Sequence, residues 1–248
     1  MSYHNNVQWC LSLGKKFHQD NLTEIFDSKN NIKYRLIKPW DIEKAADICA
    51  QCYAENNRMF QVLDITKEDY LPTAIEVFKT ALEEGIGLIS TTNEGKIVGA
   101  GAAYLLSSAL FDLGLDLEKI YGKKIAPIVD VSHTLFKNFP PKKYGKYNQI
   151  YYIDDVCVSS GYHGKGIGIM NSLILQSLIQ RRGINQVCSI SYHPAMARSV
   201  SQMQMWKTVS ILDIRDYTYQ NKKIFSQLYE EGYREISLVL SNFTSSKL

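Results

Sequence analysis

Residues 151–169 read YYIDDVCVSSGYHGKGIGI, a run whose residue types suit the binding of a phosphate group. An apolar segment ends in the turn His163-Gly164-Lys165-Gly166-Ile167-Gly168, and a long amphipathic segment follows at once. The first N–H groups of a helix have no partner inside it, so a helix starting here aims unpaired donors at whatever lies in the turn. Glycines in the turn let the backbone approach an anion with no Cβ in the way. Just upstream stand two carboxylates, Asp154 and Asp155. Successive strand residues alternate between faces, so one of the two is expected on the face that carries chemistry. There it could act as a base or meet a cationic substrate; the plain alternative is exposure at a strand end.

The elements that hold these residues follow from the periodicity of the chain. Ile32–Ile37 alternates as a half-buried strand, and Asp41 caps a helix running to about Ala54. Thr66-Lys67-Glu68-Asp69 has the form of a capping box, with a helix most secure over Pro72–Glu84 and stopped by Gly85. Gly87–Thr92 and Lys96–Leu106 form a hairpin around Asn93-Glu94-Gly95. Residues 107–148 read as an insert, helical over Leu117–Phe136 with an interruption at Pro127. Ile150–Val158 is a strand, Gly164–Arg182 a helix, Gln186–Tyr192 a strand, and Pro194 opens a helix to about Trp206. Ile211–Tyr219 and Ser237–Leu240 are the closing strands. This order describes an α/β chain with an antiparallel first half and a parallel crossover in the middle.

Composition narrows the classes. The chain has 248 residues, 45% of them apolar, enough for one domain with a proper core. Residues 1–31 read as an N-terminal extension with scattered aromatics, and residues 32–248 as the domain. A net charge of +3, from 28 basic and 25 acidic residues, argues against a dedicated nucleic-acid binder. No run approaches the roughly 18 apolar residues of a membrane span. The first twenty residues lack the order of a secretory signal, and five cysteines, an odd number, fit a reducing compartment. The expected location is cytoplasmic. Cys49-Ala50-Gln51-Cys52 is a lone CxxC inside a helix, read as packing rather than as a redox pair or a metal site. No metal is expected.

Two glycine-turn motifs can be set aside. A nucleotide P-loop needs Ser or Thr after its Gly-Lys, and Lys165 is followed by Gly166. The dinucleotide fingerprint needs an acidic residue about 20 positions on. None occurs between Gly168 and Asp213. The run Val156-Cys157-Val158 with His163 through Gly168 instead resembles the acetyl-CoA site of the GNAT acetyltransferases, whose pattern is Arg/Gln-x-x-Gly-x-Gly/Ala after an apolar strand. The order of elements over Ile32–Leu240 is similar to theirs as well. Within that superfamily the chain resembles the arylalkylamine branch in three places. These are Cys52-Tyr53-Ala54-Glu55-Asn56 at the end of the first helix, the insert at 107–148, and Asp216-Tyr217 followed by Asn221-Lys222-Lys223-Ile224-Phe225.

The resemblance implies a mixed, splayed β-sheet flanked by helices, with a helical insert before the cofactor-binding strand. It implies acetyl-CoA as co-substrate, held by Val156, Cys157 and Val158 along the pantetheine arm and by His163, Gly164, Lys165, Gly166, Ile167 and Gly168 at the pyrophosphate. His163 stands where the family prefers Arg or Gln and gives up a charge-assisted contact. The acceptor implied is a small amine, an arylalkylamine or polyamine, attacked directly in a ternary complex. Glu55 is implied as the base, desolvated against Tyr53, Met59 and Phe60, with Asp155 as an alternative and Ser199 as an acid or relay. His193 is a weaker candidate, and Tyr144, Tyr147, Tyr151 and Tyr152 could line the acceptor pocket. The alternative, permitted by the missing tyrosine after Pro194, by His163 and Asn56 and by the aromatic N-terminal extension, is a catalytically weak or inactive GNAT-fold structural subunit, docked on a protein partner through that extension.

Overall fold

The structure, a computed structural model, describes residues 3–108, 116–139, 147–192 and 206–242. At its centre lies an eight-stranded sheet. β1 (Glu24–Asp27), β2 (Ile32–Leu36), β3 (Gly87–Thr92) and β4 (Ile97–Leu105) are antiparallel neighbours in sequence order. β5 (Ile150–Val158) continues this antiparallel series against β4 but runs parallel to β6 (Gln186–Ser191). The C-terminal strand β8 (Glu235–Asn242) inserts between β6 and the edge strand β7 (Trp206–Asp213).

Helices cover both faces. α2 (Ile42–Asn56), α4 (Lys67–Glu83) and α5 (Leu117–Lys137) bury Ala45, Cys49, Phe78 and Val131 against one face. α1 (Tyr3–Gln19) and α6 (Ile167–Arg181) bury Phe17, Leu173 and Ile174 against the other. Short helices α3 (Arg58–Val62) and α7 (Ser226–Glu230) close the rim and are joined by an ion pair from Arg58 to Glu231. No helix among the described residues is long and apolar enough to cross a membrane.

Several expectations are corrected. The N-terminal extension is an ordered helix, and β1 is the outer strand of the sheet. Val7, Cys10, Gly14 and Phe17 fall on one side of α1, and Gly14 lets Leu173 of α6 pack directly on the helix backbone. Of the aromatics in this segment Phe17 is buried within the chain and Trp9 half-buried, whereas Phe26 stays exposed. The break in α5 lies at Gly122, where φ is +78°, rather than at Pro127. A residue without Cβ takes that conformation at little cost, and Pro127 falls about a turn later inside the restarted helix. Asp41 stands at the start of α2 without capping it. Its carboxylate is instead buried under a bidentate Arg35 guanidinium at 2.7 and 3.0 Å and accepts the Lys38 N–H at 2.9 Å. The capping box at Thr66 and Asp69 is present as expected. β7 runs from Trp206 to Asp213; residues 214–216 are turn and Tyr219 only bridges Lys222, while the helix expected from Pro194 falls outside the described residues except for Trp206, which is strand.

The close fit of α6 on the sheet places the glycine turn at the end of β5. Ser90 donates to Asn171 Oδ1 at 2.6 Å, and Asn171 Nδ2 donates to Ala100 O at 3.3 Å. A Cβ at Gly99 would sit 3.0 Å from Cys157 O and 3.2 Å from Ile167, the first residue of α6. Gly99→Ala should therefore cost about 1–3 kcal/mol in urea unfolding. Gly161→Ala, which meets open space, should stay within about 0.5 kcal/mol.

Candidate active site

β5 serves two neighbours unequally. Its parallel pairing with β6 runs from Ile150↔Gln186 to Ile153↔Ser189 and stops, whereas its pairing with β4 continues to Val158. The β4 register passes from Ala103↔Ile153 to Gly101↔Val156, so Asp154 and Asp155 together oppose Ala102 alone. This is a β-bulge, and it breaks the alternation of side chains. Tyr151 and Ile153 face the α1/α6 layer, as do Val156 and Val158. The two aspartates between them both turn to the α2/α4/α5 face, where a cavity lies. The expectation that only one would do so fails because regular alternation does not survive the extra residue.

That cavity has a volume of about 510 Å³ and contains six tyrosines, Tyr53, Tyr70, Tyr104, Tyr121, Tyr152 and Tyr192, in its lining. Two aromatic groups divide the carboxylates. Tyr53, Phe60 and Tyr70 pack with ring centroids 5.0–5.5 Å apart, and the Tyr70 phenol donates to both oxygens of Asp155 at 3.2 and 3.4 Å. Tyr104 packs edge-on against Tyr152 and donates a short hydrogen bond to Asp154. Asp155 is 1% exposed. Burial, and then the repulsion of Asp154, pushes its carboxyl up to about 7. Burial also raises Asp154, against the hydrogen bonds from Tyr104 and Tyr152. Two adjacent carboxyls in a desolvated site thus compete for one negative charge. At its far end the Tyr192 hydroxyl meets Ser132 Oγ at 2.7 Å, and burial raises Tyr192 so that it stays protonated.

Past Val158 the chain turns through a short 3-10 segment into the glycine turn. Gly164 and Gly166 have φ of +76° and +81°, and Gly166 opens α6 with no side-chain cap. Met170 N–H already bonds Gly166 O at 3.0 Å, so the helix begins immediately. Among the described residues, nothing takes the N–H groups of Lys165, Gly166, Ile167 and Gly168. A Cβ at Gly164 would meet open space. The donors, the open side and the adjacent Lys165 suit a pyrophosphate, so the residues present fit coenzyme A. His163 does not face that space: its Nε2–H donates to Val158 O at 2.8 Å and ties the turn to the strand. Lys165 rests over the Tyr162 ring at 4.7 Å.

The other sequence candidates are scattered. Glu55 lies at the end of α2, exposed; its carboxylate accepts a short bond from Gln51, and it is not among the cavity-lining residues. The desolvation expected from Tyr53 and Phe60 falls on Asp155 instead, because helical rotation turns Tyr53 inward and Glu55 outward. Ser199, His193 and Tyr144 lie outside the described residues, as does the side chain of Tyr147. Tyr152 lines the cavity, but Tyr151 points to the opposite face, where Arg182 donates to its hydroxyl at 3.1 Å. Cys49 is a free, buried thiol beside Asp155, and Cys52 donates to Val158 O at 3.4 Å. Sequence reading missed Tyr70, Tyr104 and Tyr192. Tyr104 could have been found, since hairpin pairing of β4 with β5 sets it opposite Tyr152. Tyr70 reaches Asp155 across 85 residues of sequence, and nothing local announces it.

No protein-family model and no curated protein matches the sequence. Solved structures do match its fold. The chain is similar to arylalkylamine N-acetyltransferase 2 from Aedes aegypti, with a TM-score of 0.73 at 16% identity over 87% of this chain and 100% of that one. It is similar to the polyamine N-acetyltransferase of Drosophila melanogaster, an enzyme that forms N-acetylagmatine, with a TM-score of 0.63 at 12% identity over 86% and 100%. It is also similar to the C-terminal condensation domain of Ebony, solved with beta-alanyl-dopamine, with a TM-score of 0.68 at 11% identity over 86% and 99%. A mixed sheet that splays at β5 and β6, with a glycine turn leading into α6, gives this chain the fold of the GNAT acetyltransferases.

Proposed function

We propose that the chain is an N-acetyltransferase that moves an acetyl group from acetyl-CoA to a small primary amine, an arylalkylamine in preference to a polyamine, by direct attack in a ternary complex. The observation that carries this reading is the position of the Asp154–Asp155 bulge. It faces a tyrosine-lined cavity at the point where β5 leaves β6, one strand-end away from the glycine turn. The arylalkylamine and polyamine N-acetyltransferases of similar fold support it. When bound, acetyl-CoA would supply an activated acetyl thioester.

The rest is asked of the protein's own side chains. Lys165 and the N–H groups of Lys165–Gly168 would hold the pyrophosphate, and the β6-side edge of β5 from Val156 to Val158 would meet the pantetheine arm, with the Val158 carbonyl already taken by His163 and Cys52. The tyrosine rings offer faces to an aromatic amine and to its cationic head, and Asp154 gives the ammonium a counter-charge. An alkylammonium must lose a proton before its lone pair can attack. Asp155, poised near neutrality, takes that proton. The N–C bond then forms as the C–S bond breaks. The attacking nitrogen then gives up its second proton, which passes to the departing thiolate; the Tyr192 hydroxyl would carry it, donating its own proton to sulfur and taking the one from nitrogen, with Ser199 as a further relay on the strength of the family resemblance. Glu55, exposed and outside the cavity, is displaced from the role of base by Asp155.

Activity should reflect this assignment. kcat/KM for an arylalkylamine should rise with pH and level off above about 7, as Asp155 loses its proton. Asp155→Asn should lower kcat by about 10²–10⁴ and remove the acidic limb, while acetyl-CoA affinity holds. Glu55→Gln should keep both rate and limb; loss of the limb in that variant instead would return the base to Glu55. An acceptor screen of arylalkylamines, polyamines and peptide N-termini reads out the substrate class directly. No acetyl-CoA binding at millimolar concentration in calorimetry would favour a structural role.

The same carboxyl also leaves a mark on stability. Folded, Asp155 keeps its proton up to about pH 7, whereas unfolded it releases it near the ordinary value of 3.8. The folded chain binds more protons between those limits, so this contribution to stability is full below pH 4 and lost as pH rises through 7. Asp155→Asn should therefore melt about 2–5 °C above the wild type at pH 8 and converge with it near pH 4.

A further inference from the structure

Three consecutive carbonyls of the glycine turn are occupied by side chains from the first thirty residues. Asn6 Nδ2 donates to Gly164 O at 3.0 Å, and Asn30 Nδ2 donates to Lys165 O at 3.1 Å. Cys10 Sγ donates to Gly166 O at 3.6 Å. In a trans peptide the C=O of one residue and the N–H of the next point in opposite directions. Holding the carbonyls of 164 and 166 toward α1 and that of 165 toward the β1–β2 turn therefore directs the N–H groups of Lys165, Gly166 and Ile167 away from the N-terminal segment.

The asparagines are themselves held. Lys29 Nζ donates to Asn6 Oδ1 at 2.8 Å, and Asn30 Nδ2 also reaches Asp27 Oδ2 at 2.6 Å. Asp27 is fully buried and accepts from Trp9 Nε1 at 3.0 Å and from the N–H groups of Lys29 and Asn30 at 3.0 and 3.2 Å. A turn with two glycines is costly to order, and a scaffold that orders it beforehand lowers that cost at the moment of binding.

We propose that the N-terminal segment is part of the cofactor site, with Asn6 and Asn30 as positioning residues that preset the N–H groups of the glycine turn for a pyrophosphate. This rests on the acetyl-CoA reading above. It gives the segment a role within its own chain.

The test uses the full chain in three forms: wild type, Asn6→Ala/Asn30→Ala, and His18→Ala. His18 meets Ser177 at 3.0 Å on the same helix pair but away from the turn. Calorimetry with acetyl-CoA should show about tenfold weaker binding for the double variant, as expected for two modest hydrogen bonds, and wild-type affinity for His18→Ala. KM for acetyl-CoA should rise in step while kcat at saturation stays unchanged. In the ligand-free chain, ¹⁵N relaxation should show order parameters at Lys165–Ile167 falling from about 0.85 to below about 0.6 in the double variant alone. Wild-type affinity and order in the double variant would overturn the proposal, as would equal weakening in His18→Ala. A wild-type chain that fails to bind acetyl-CoA defeats the acetyltransferase reading itself, while the relaxation result still decides whether the segment orders the turn.

Discussion

The fold turns on the unequal pairing of β5. A strand with two partners normally keeps both, because an unpaired backbone group inside a protein is costly. Here β5 keeps β4 to its end and gives up β6 after Ile153. The bulge at Asp154–Asp155 falls at the point of separation, and bulges raise local twist and bend the strand. One added residue thus opens the sheet and puts two carboxylates on one face. Among the described residues it also ends the β6 pairing of β5 after Ile153, so that the edge beyond is open except at the Val158 carbonyl, which His163 and Cys52 occupy.

Burial then sets the chemistry. A carboxylate at a strand end in water would be ionised and unremarkable. Asp155 is enclosed by Cys49, Tyr53 and Tyr70, and its neighbour in sequence is another acid. Desolvation and like-charge repulsion act in the same direction, and the phenol donors oppose them only in part. The tyrosines have a second effect: being buried, they stay protonated and so remain donors. The cavity is therefore lined with hydroxyl donors and aromatic faces around a charge shared by two acids, an environment complementary to a cationic aromatic molecule.

The opposite layer looks structural but reaches the same site. α1 and α6 lie parallel, since contacts progress together from Cys10–Gly166 to Gly14–Leu173 and His18–Ser177. At the far end Arg181 stacks on Phe17 and donates to Leu22 O at 2.6 Å. The spacing of Val7, Cys10, Gly14 and Phe17 is a helical stripe that could have been read in the sequence. The polar residues around it mask it, and nothing local tells that its partner is α6.

What the sequence determined by itself is the contiguous part. The strand at Ile150–Val158, the glycine turn and the helix after it are neighbours in the chain, and periodicity with glycine placement is enough to read them. The capping box at Thr66 and the hairpin at Asn93–Gly95 are legible for the same reason. Tertiary structure decided everything that depends on register or on which face of an element packs. It turned both aspartates inward, set Glu55 in solvent, and gathered Tyr53, Tyr70, Tyr104, Tyr152 and Tyr192 from five elements and connections. It also laid the N-terminal helix against the turn. These outcomes follow from one residue of slip between β4 and β5 and from the pairing of distant apolar stripes, which are properties of contacts rather than of any segment.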